Sequence, residues 1–192
     1  MKNDDFKLLL NPFYKVAGWK AVFIGLIFVC ATTLLGYLSN TTFFGIEVKY
    51  VHSVTIGRAF ALHGAGIGVY FVVMYLVSVI LARGVRMQDI LGTVMLSRYP
   101  LIFAAIPGFF ITLPDIDFMN PTPADFSEML HLLTPTLIGA VFMMIFSIWS
   151  LVVMYNGFKT STGLKGARCG VGYALTIIIA EIVTLLLVFK FF

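Results

Sequence analysis

Residues 170–192 read GVGYALTIIIAEIVTLLLVFKFF, and in this run one acid, Glu181, stands among little but Ile, Leu, Val, Ala and Thr. A helix needs about 20 mainly apolar residues to cross the hydrocarbon core of a bilayer, and this stretch supplies them. A carboxyl at that depth is costly, so Glu181 is a functional-site hypothesis by default.

Working outward, the rest of the chain has the same character. Of its 192 residues 60% are hydrophobic and only 11% are charged. Soluble domains are nearer 25% charged, which excludes water as the sole solvent. Lys and Arg outnumber Asp and Glu by 13 to 9. The cations are scattered and form no stripe, so they read as a topology signal, and no nucleic-acid partner is expected. Cys30 and Cys169 show no C-x-x-C spacing and are expected to stay unpaired.

Five segments meet the length requirement: roughly 19–38, 58–82, 91–113, 135–155 and 170–189. The fold expected is all-α, a single integral membrane domain over 1–192 built as a polytopic helical bundle. The first run is expected to be a retained span, being too long for a leader's apolar core. With the N-terminus in the cytoplasm, ten cations fall inside: Lys2, Lys7, Lys15, Lys20, Arg83, Arg86, Arg98, Lys159, Lys165 and Arg168. Three fall outside: Lys49, Arg58 and Lys190. Cytoplasmic loops carry the excess of cations, so the N-terminus is placed inside and the C-terminus outside.

Short interfacial helices are expected beside the spans. Residues 1–17 carry Phe6, Leu9, Leu10 and Phe13 near helical spacing, as a segment lying on the inner leaflet would. Val85–Ser97 has a similar one-sided pattern, and Pro100 breaks the helix after it. The third span is therefore the least regular. Outside the membrane, Gly45–Tyr50 alternates apolar and polar residues, which predicts a strand paired with His52–Ile56 in a small cap.

The chemistry-bearing candidates centre on Glu181. Tyr173, Thr176 and Thr184 share its side of the last span, giving a candidate intramembrane polar site. It is read either as a neutral latch between helices or as a proton or cation site. His63 is a second member if the two side chains meet across about 8 Å of depth, by helix rise. Gly64 and Gly68 form a GxxxG beside it and, with Gly166 and Gly170, are expected to admit close helix packing. Asp115 and Asp117, in an outer loop with Asp125 and Glu128, are weak metal candidates; a solvated acidic loop is the plainer reading. Tyr155–Arg168 is Gly-rich and basic. It reads as a phosphate site or, more plainly, as a cap at Gly157 followed by a cationic loop near anionic lipid. No G-x-S-x-G, H-E-x-x-H, P-loop or dinucleotide turn is present, so neither an enzyme nor a cofactor is expected.

Several stretches together resemble the Yip (Ypt-interacting protein) family of five-span membrane proteins, in its short bacterial form. They are Asn11-Pro12, the stretch from Leu91-Gly92-Thr93 to Arg98-Tyr99-Pro100, Trp149 leading to Tyr155-Asn156-Gly157-Phe158, and the basic loop before Gly172-Tyr173. In eukaryotic relatives the resemblance implies membrane traffic and contact with Rab-type GTPases through a cytosolic N-terminal region. Residues 1–17 are too short for such a region, so that contact is not carried over. The family supplies no catalytic residue. The resemblance implies a multi-pass protein of the bacterial cytoplasmic (inner) membrane. The function expected is a non-enzymatic membrane scaffold or organiser, with lipids, other membrane proteins or a second copy of itself as partners. The alternative is a small proton- or ion-coupled transporter or channel using Glu181, and Glu181→Gln is expected to keep fold and expression.

Overall fold

The computed structural model describes residues 7–111 and 123–191. Helix α1 (Trp19–Leu38) is followed by strands β1 (Thr41–Phe44) and β2 (Glu47–Tyr50), then α2 (Ile56–Leu81), α3 (Met87–Leu96) and the single turn α4 (Leu101–Ala104). A 3-10 turn (Ile106–Phe109), α5 (Pro123–Thr162) and α6 (Gly166–Phe191) complete the order. Among the described residues five segments are long and apolar enough to span a membrane: Trp19–Leu38, Ile56–Leu81, Met87–Phe109, Leu133–Thr162 and Gly166–Leu187. The chain is an all-α, multi-pass membrane protein. Its flanks carry the apolar side chains that lipid solvates, among them Phe23, Ile27, Leu76, Ile80, Ile145, Ile178 and Leu186, all exposed.

The third segment is the centre of the bundle. In its most apolar stretch 61% of residues are buried, against 39% or less in the other four. It runs parallel to α1 along that helix's whole length. Gly18 N–H donates to Asp89 Oδ1 at one end (3.0 Å). A Cβ on Gly25 would lie 2.6 Å from Leu96 N midway, and one on Gly108 would lie 2.5 Å from Ser39 O at the far end. The segment therefore crosses fully. Residues 87–96, expected as an interfacial segment overlapping the start of the third span at 91, form the first half of that span, with Ile90, Val94 and Leu96 buried. Pro100 explains the break, since it cannot donate a helical hydrogen bond. The chain tightens there to three-residue bonds, Arg98 N to Met95 O and Tyr99 N to Leu96 O. Ser97 O instead accepts from Ser150 Oγ of α5 (2.8 Å).

Helix α5 continues to Thr162, seven residues beyond the expected end of the fourth span. Gly157 is thus no cap: it lies mid-helix, where a Cβ would meet Thr93 and Phe13 at 2.6 and 2.7 Å. Gly163, in the left-handed region at φ +65°, ends the helix.

Glycines do bring helices together, though not at the positions expected. A Cβ at Gly64, Gly68, Gly166 or Gly170 would meet nothing within 4 Å. Helices approach closely at Gly25, at Gly92 (2.7 Å from Ala21 Cβ), at Gly157 and at Gly172 (against Leu81 Cδ1), while Gly66 meets the turn (2.5 Å from Gly45 N). Spacing marks small residues, whereas helix direction decides which of them face a partner.

In the segment before α1, residues 7–10 are helical and Pro12–Tyr14 forms a 3-10 turn. The segment packs against α5, with Tyr14 beside Lys159 and Gly163 and Leu9 beside Trp149. Leu9 O accepts from Tyr99 O–H and Trp149 Nε1–H, and Leu10 O accepts from Asn156 Nδ2–H (2.9 Å). These are the end carbonyls of the short helix, which no helical donor reaches. Asp115 and Asp117 lie outside the described residues, and no group of metal-ligating side chains occurs among those described. Both cysteines are free.

Candidate functional site

Strand β2 pairs with the strand before it, Thr41–Phe44, and not with His52–Ile56 as the pattern implied. Phe44 pairs with Glu47, so Gly45 and Ile46 form a two-residue turn. Gly45 takes φ +62°, and Ile46 is not in the positive-φ region. Glycine at the first central position is what a type II′ hairpin turn favours. A residue with a side chain would be strained there, and a Cβ would also lie 2.7 Å from Glu181 Oε1.

The hairpin is not an outer cap. All four residues of β1 are buried, and the turn reaches Gly66 and Tyr70 of α2. Tyr70 lies about 21 Å along that helix from Ile56, which is past the middle of a bilayer core about 30 Å thick. The hairpin therefore enters the bundle from the end where α1 finishes. Non-helical backbone at such depth survives only where protein surrounds it and supplies its hydrogen bonds.

The central peptide of a two-residue turn makes no ladder bond, so its C=O and N–H both need outside partners. Two ionisable side chains supply them. Gly45 O accepts from Arg98 Nη1–H at 2.6 Å. Ile46 N–H donates to Glu181 Oε1 at 2.9 Å. One peptide group thus sits between a guanidinium and a carboxyl, its oxygen toward the cation and its N–H toward the acid. The same Oε1 accepts from Tyr70 O–H, and the Arg98 guanidinium lies 5.1 Å from the Tyr70 ring centre. Arg98 is 1% exposed, and its Nε and Nη2 have no hydrogen-bond partner. Glu181 is only partly buried.

Arg98 is the residue the sequence reading missed. The charge pattern places it among ten cytoplasmic cations; nine remain with Arg98 inside the bundle, still against three. The available signal was its position between two apolar halves, 90–96 and 101–111, which only together make a span.

Of the expected companions of Glu181, Thr184 lies beside the turn, its methyl 3.0 Å from a Cβ built on Gly45. Thr176 and Thr184 are buried and donate to their own helix, at Gly172 O and Ala180 O. Tyr173 turns to α5, donating to Leu151 O at 2.7 Å. His63 does not meet Glu181. Its Nδ1 is 2.7 Å from Thr33 Oγ1, and its ring lies 5.4 Å from that of Phe43 in β1. Thr33 Oγ1 also lies 2.7 Å from Val29 O, and His63 Nε2 is buried with no partner.

The arrangement can hold a strand turn at mid-membrane. It places no nucleophile beside a base. Cavities bordered by described residues lie elsewhere: about 290 Å³ between the hairpin and the start of α2, about 260 Å³ beside Pro107 and Pro135, and about 110 and 200 Å³ around the N-terminal segment. Comparison with protein-family models, with curated proteins and with solved structures finds no match to this chain.

Proposed function

We propose that this chain is a non-enzymatic organiser of the bacterial cytoplasmic membrane, as its resemblance to short Yip-family proteins suggests. In this reading the N-terminus is cytosolic, and the partners are lipids, other membrane proteins or a second copy of the chain. The observation that supports it is the use made of Glu181. The bonded carboxyl oxygen receives both Ile46 N–H and Tyr70 O–H, so the acid works as a clasp on the chain's own hairpin. The nine-to-three distribution of cations supports the orientation.

A second reading, a small proton- or ion-coupled transporter or channel, draws on two details: Glu181 is only partly buried, and Arg98 keeps two unpartnered donors. Flux measured in proteoliposomes separates the two. Glu181→Gln keeps an oxygen that accepts from Ile46 and Tyr70, so the variant folds and serves as the control. The organiser reading expects no pH-dependent proton or cation flux from either protein. Flux in the wild type that disappears in Glu181→Gln overturns it.

A further inference from the structure

The loop between α5 and α6 is short, only residues 163–165, and it closes one side of a cavity of about 200 Å³. The N-terminal segment forms the opposite wall through Asn11 and Tyr14, and Asn156, Lys159, Thr160 and Lys165 complete it. Two lysines therefore line one space, and no carboxylate lines it. Neither Lys159 nor Lys165 has an ion-pair partner among the described residues. The Asn11 amide is nearby, and its Oδ1 is buried with no donor, although Asn11 precedes a helical turn that its side chain does not cap. Asn156 is held in place by its bond to Leu10 O. Helix α6 starts at the next residue, Gly166, with no acid in its first turn, so the positive end of its dipole adds to the field.

We infer that this cavity binds a phosphate group, held by Lys159 and Lys165 with the Asn11 amide and the Tyr14 hydroxyl at its rim. Phosphate matches the two ammoniums as point-charge donors and the Tyr14 hydroxyl as a donor to its oxygens, while Asn11 Oδ1, an acceptor, serves a headgroup hydroxyl or a protonated phosphate oxygen. The group is presented by an anionic lipid of the leaflet beside it or arrives as free phosphate. Tyr14, 77% exposed, is the kind of amphipathic aromatic that sits at headgroup level. The inference deepens the organiser reading by naming the lipid chemistry. Its test measures binding and not flux, so either can fail alone.

The full chain in neutral detergent is titrated at physiological salt with short-chain phosphatidylglycerol, short-chain phosphatidylcholine and inorganic phosphate. Saturable binding of phosphatidylglycerol or of inorganic phosphate is expected, with phosphatidylcholine much weaker than phosphatidylglycerol. Binding of phosphatidylglycerol alone identifies a lipid headgroup as the source, and binding of inorganic phosphate shows that the phosphate suffices. Lys159 and Lys165 are exposed, so Lys159→Gln/Lys165→Gln folds. Each cation near an anionic surface is worth roughly a fivefold step in affinity, so this double variant should weaken binding by about 25-fold. Arg83→Gln/Arg86→Gln removes equal charge at the same end of the bundle, outside the cavity, and should change binding much less. Equal losses in both double variants, or no saturable binding by either phosphate probe, overturn the site.

Discussion

Two pieces of irregular backbone are pinned to this bundle, one at each end, and they are held by different chemistry. The N-terminal segment lies along the flank of α5, where Leu9 is 48% exposed. Its carbonyls are received by neutral donors: a phenol, an indole and a carboxamide. The hairpin is buried on its first strand, and its turn is held by a guanidinium and a carboxyl. A hydrogen bond to an ionised group is worth about 1.5–3 kcal/mol, roughly twice a neutral one. The stronger kind is found where the backbone has gone furthest from water. Bringing two ionisable groups there carries its own desolvation cost, offset in part by the turn peptide that bonds to both.

The largest effect should come from removing the guanidinium. Arg98→Met leaves the buried turn carbonyl without its charged donor, and stranding a group in this way costs roughly 3 kcal/mol. Thermal unfolding in detergent should show a large drop. If Arg98→Met alone unfolds like the wild type, the two ends of the molecule do not differ as described.

Next in size is the fit of the hairpin against α2. Gly66→Val places methyl groups where Gly45 N already approaches, and overpacking of this kind costs about 1–3 kcal/mol. Gly64→Ala and Gly68→Ala face open space and should stay within about 0.5 kcal/mol in the same assay. If these two instead change the mass of the detergent-solubilised particle, the open glycines belong to an interface between copies.

The smallest effect belongs to the N-terminal segment. Trp149→Phe removes one of two donors to Leu9 O, and a neutral hydrogen bond contributes about 0.5–1.5 kcal/mol. The loss should appear as faster protease cleavage near Leu9 with little change in global unfolding. A fall matching that of Arg98→Met would erase the contrast between the two ends.

These differences also explain what could be read from the sequence. The spans were legible because length and apolarity alone define them, and Glu181 was legible because a lone acid in such a run is rare. The hairpin was half legible. Alternation marked Glu47–Tyr50, but Thr41–Phe44 is buried on both faces and so shows no alternation, and its pairing was assigned to the wrong neighbour. Arg98 was hidden by Pro100: a cation beside a helix breaker looks like a loop residue until a partner 53 positions away is known. The open GxxxG and the packed Gly66 are two residues apart, and periodicity does not say which face meets the hairpin.

The bond from Ile46 to Glu181 joins residues 135 positions apart, from the first connection of the chain to its last helix. During synthesis the hairpin emerges long before its acid does, and until α6 enters the bilayer the turn N–H has no carboxyl to receive it. Completion of the final crossing is therefore the step that locks the earliest loop, so assembly of this small protein closes from its end back to its beginning.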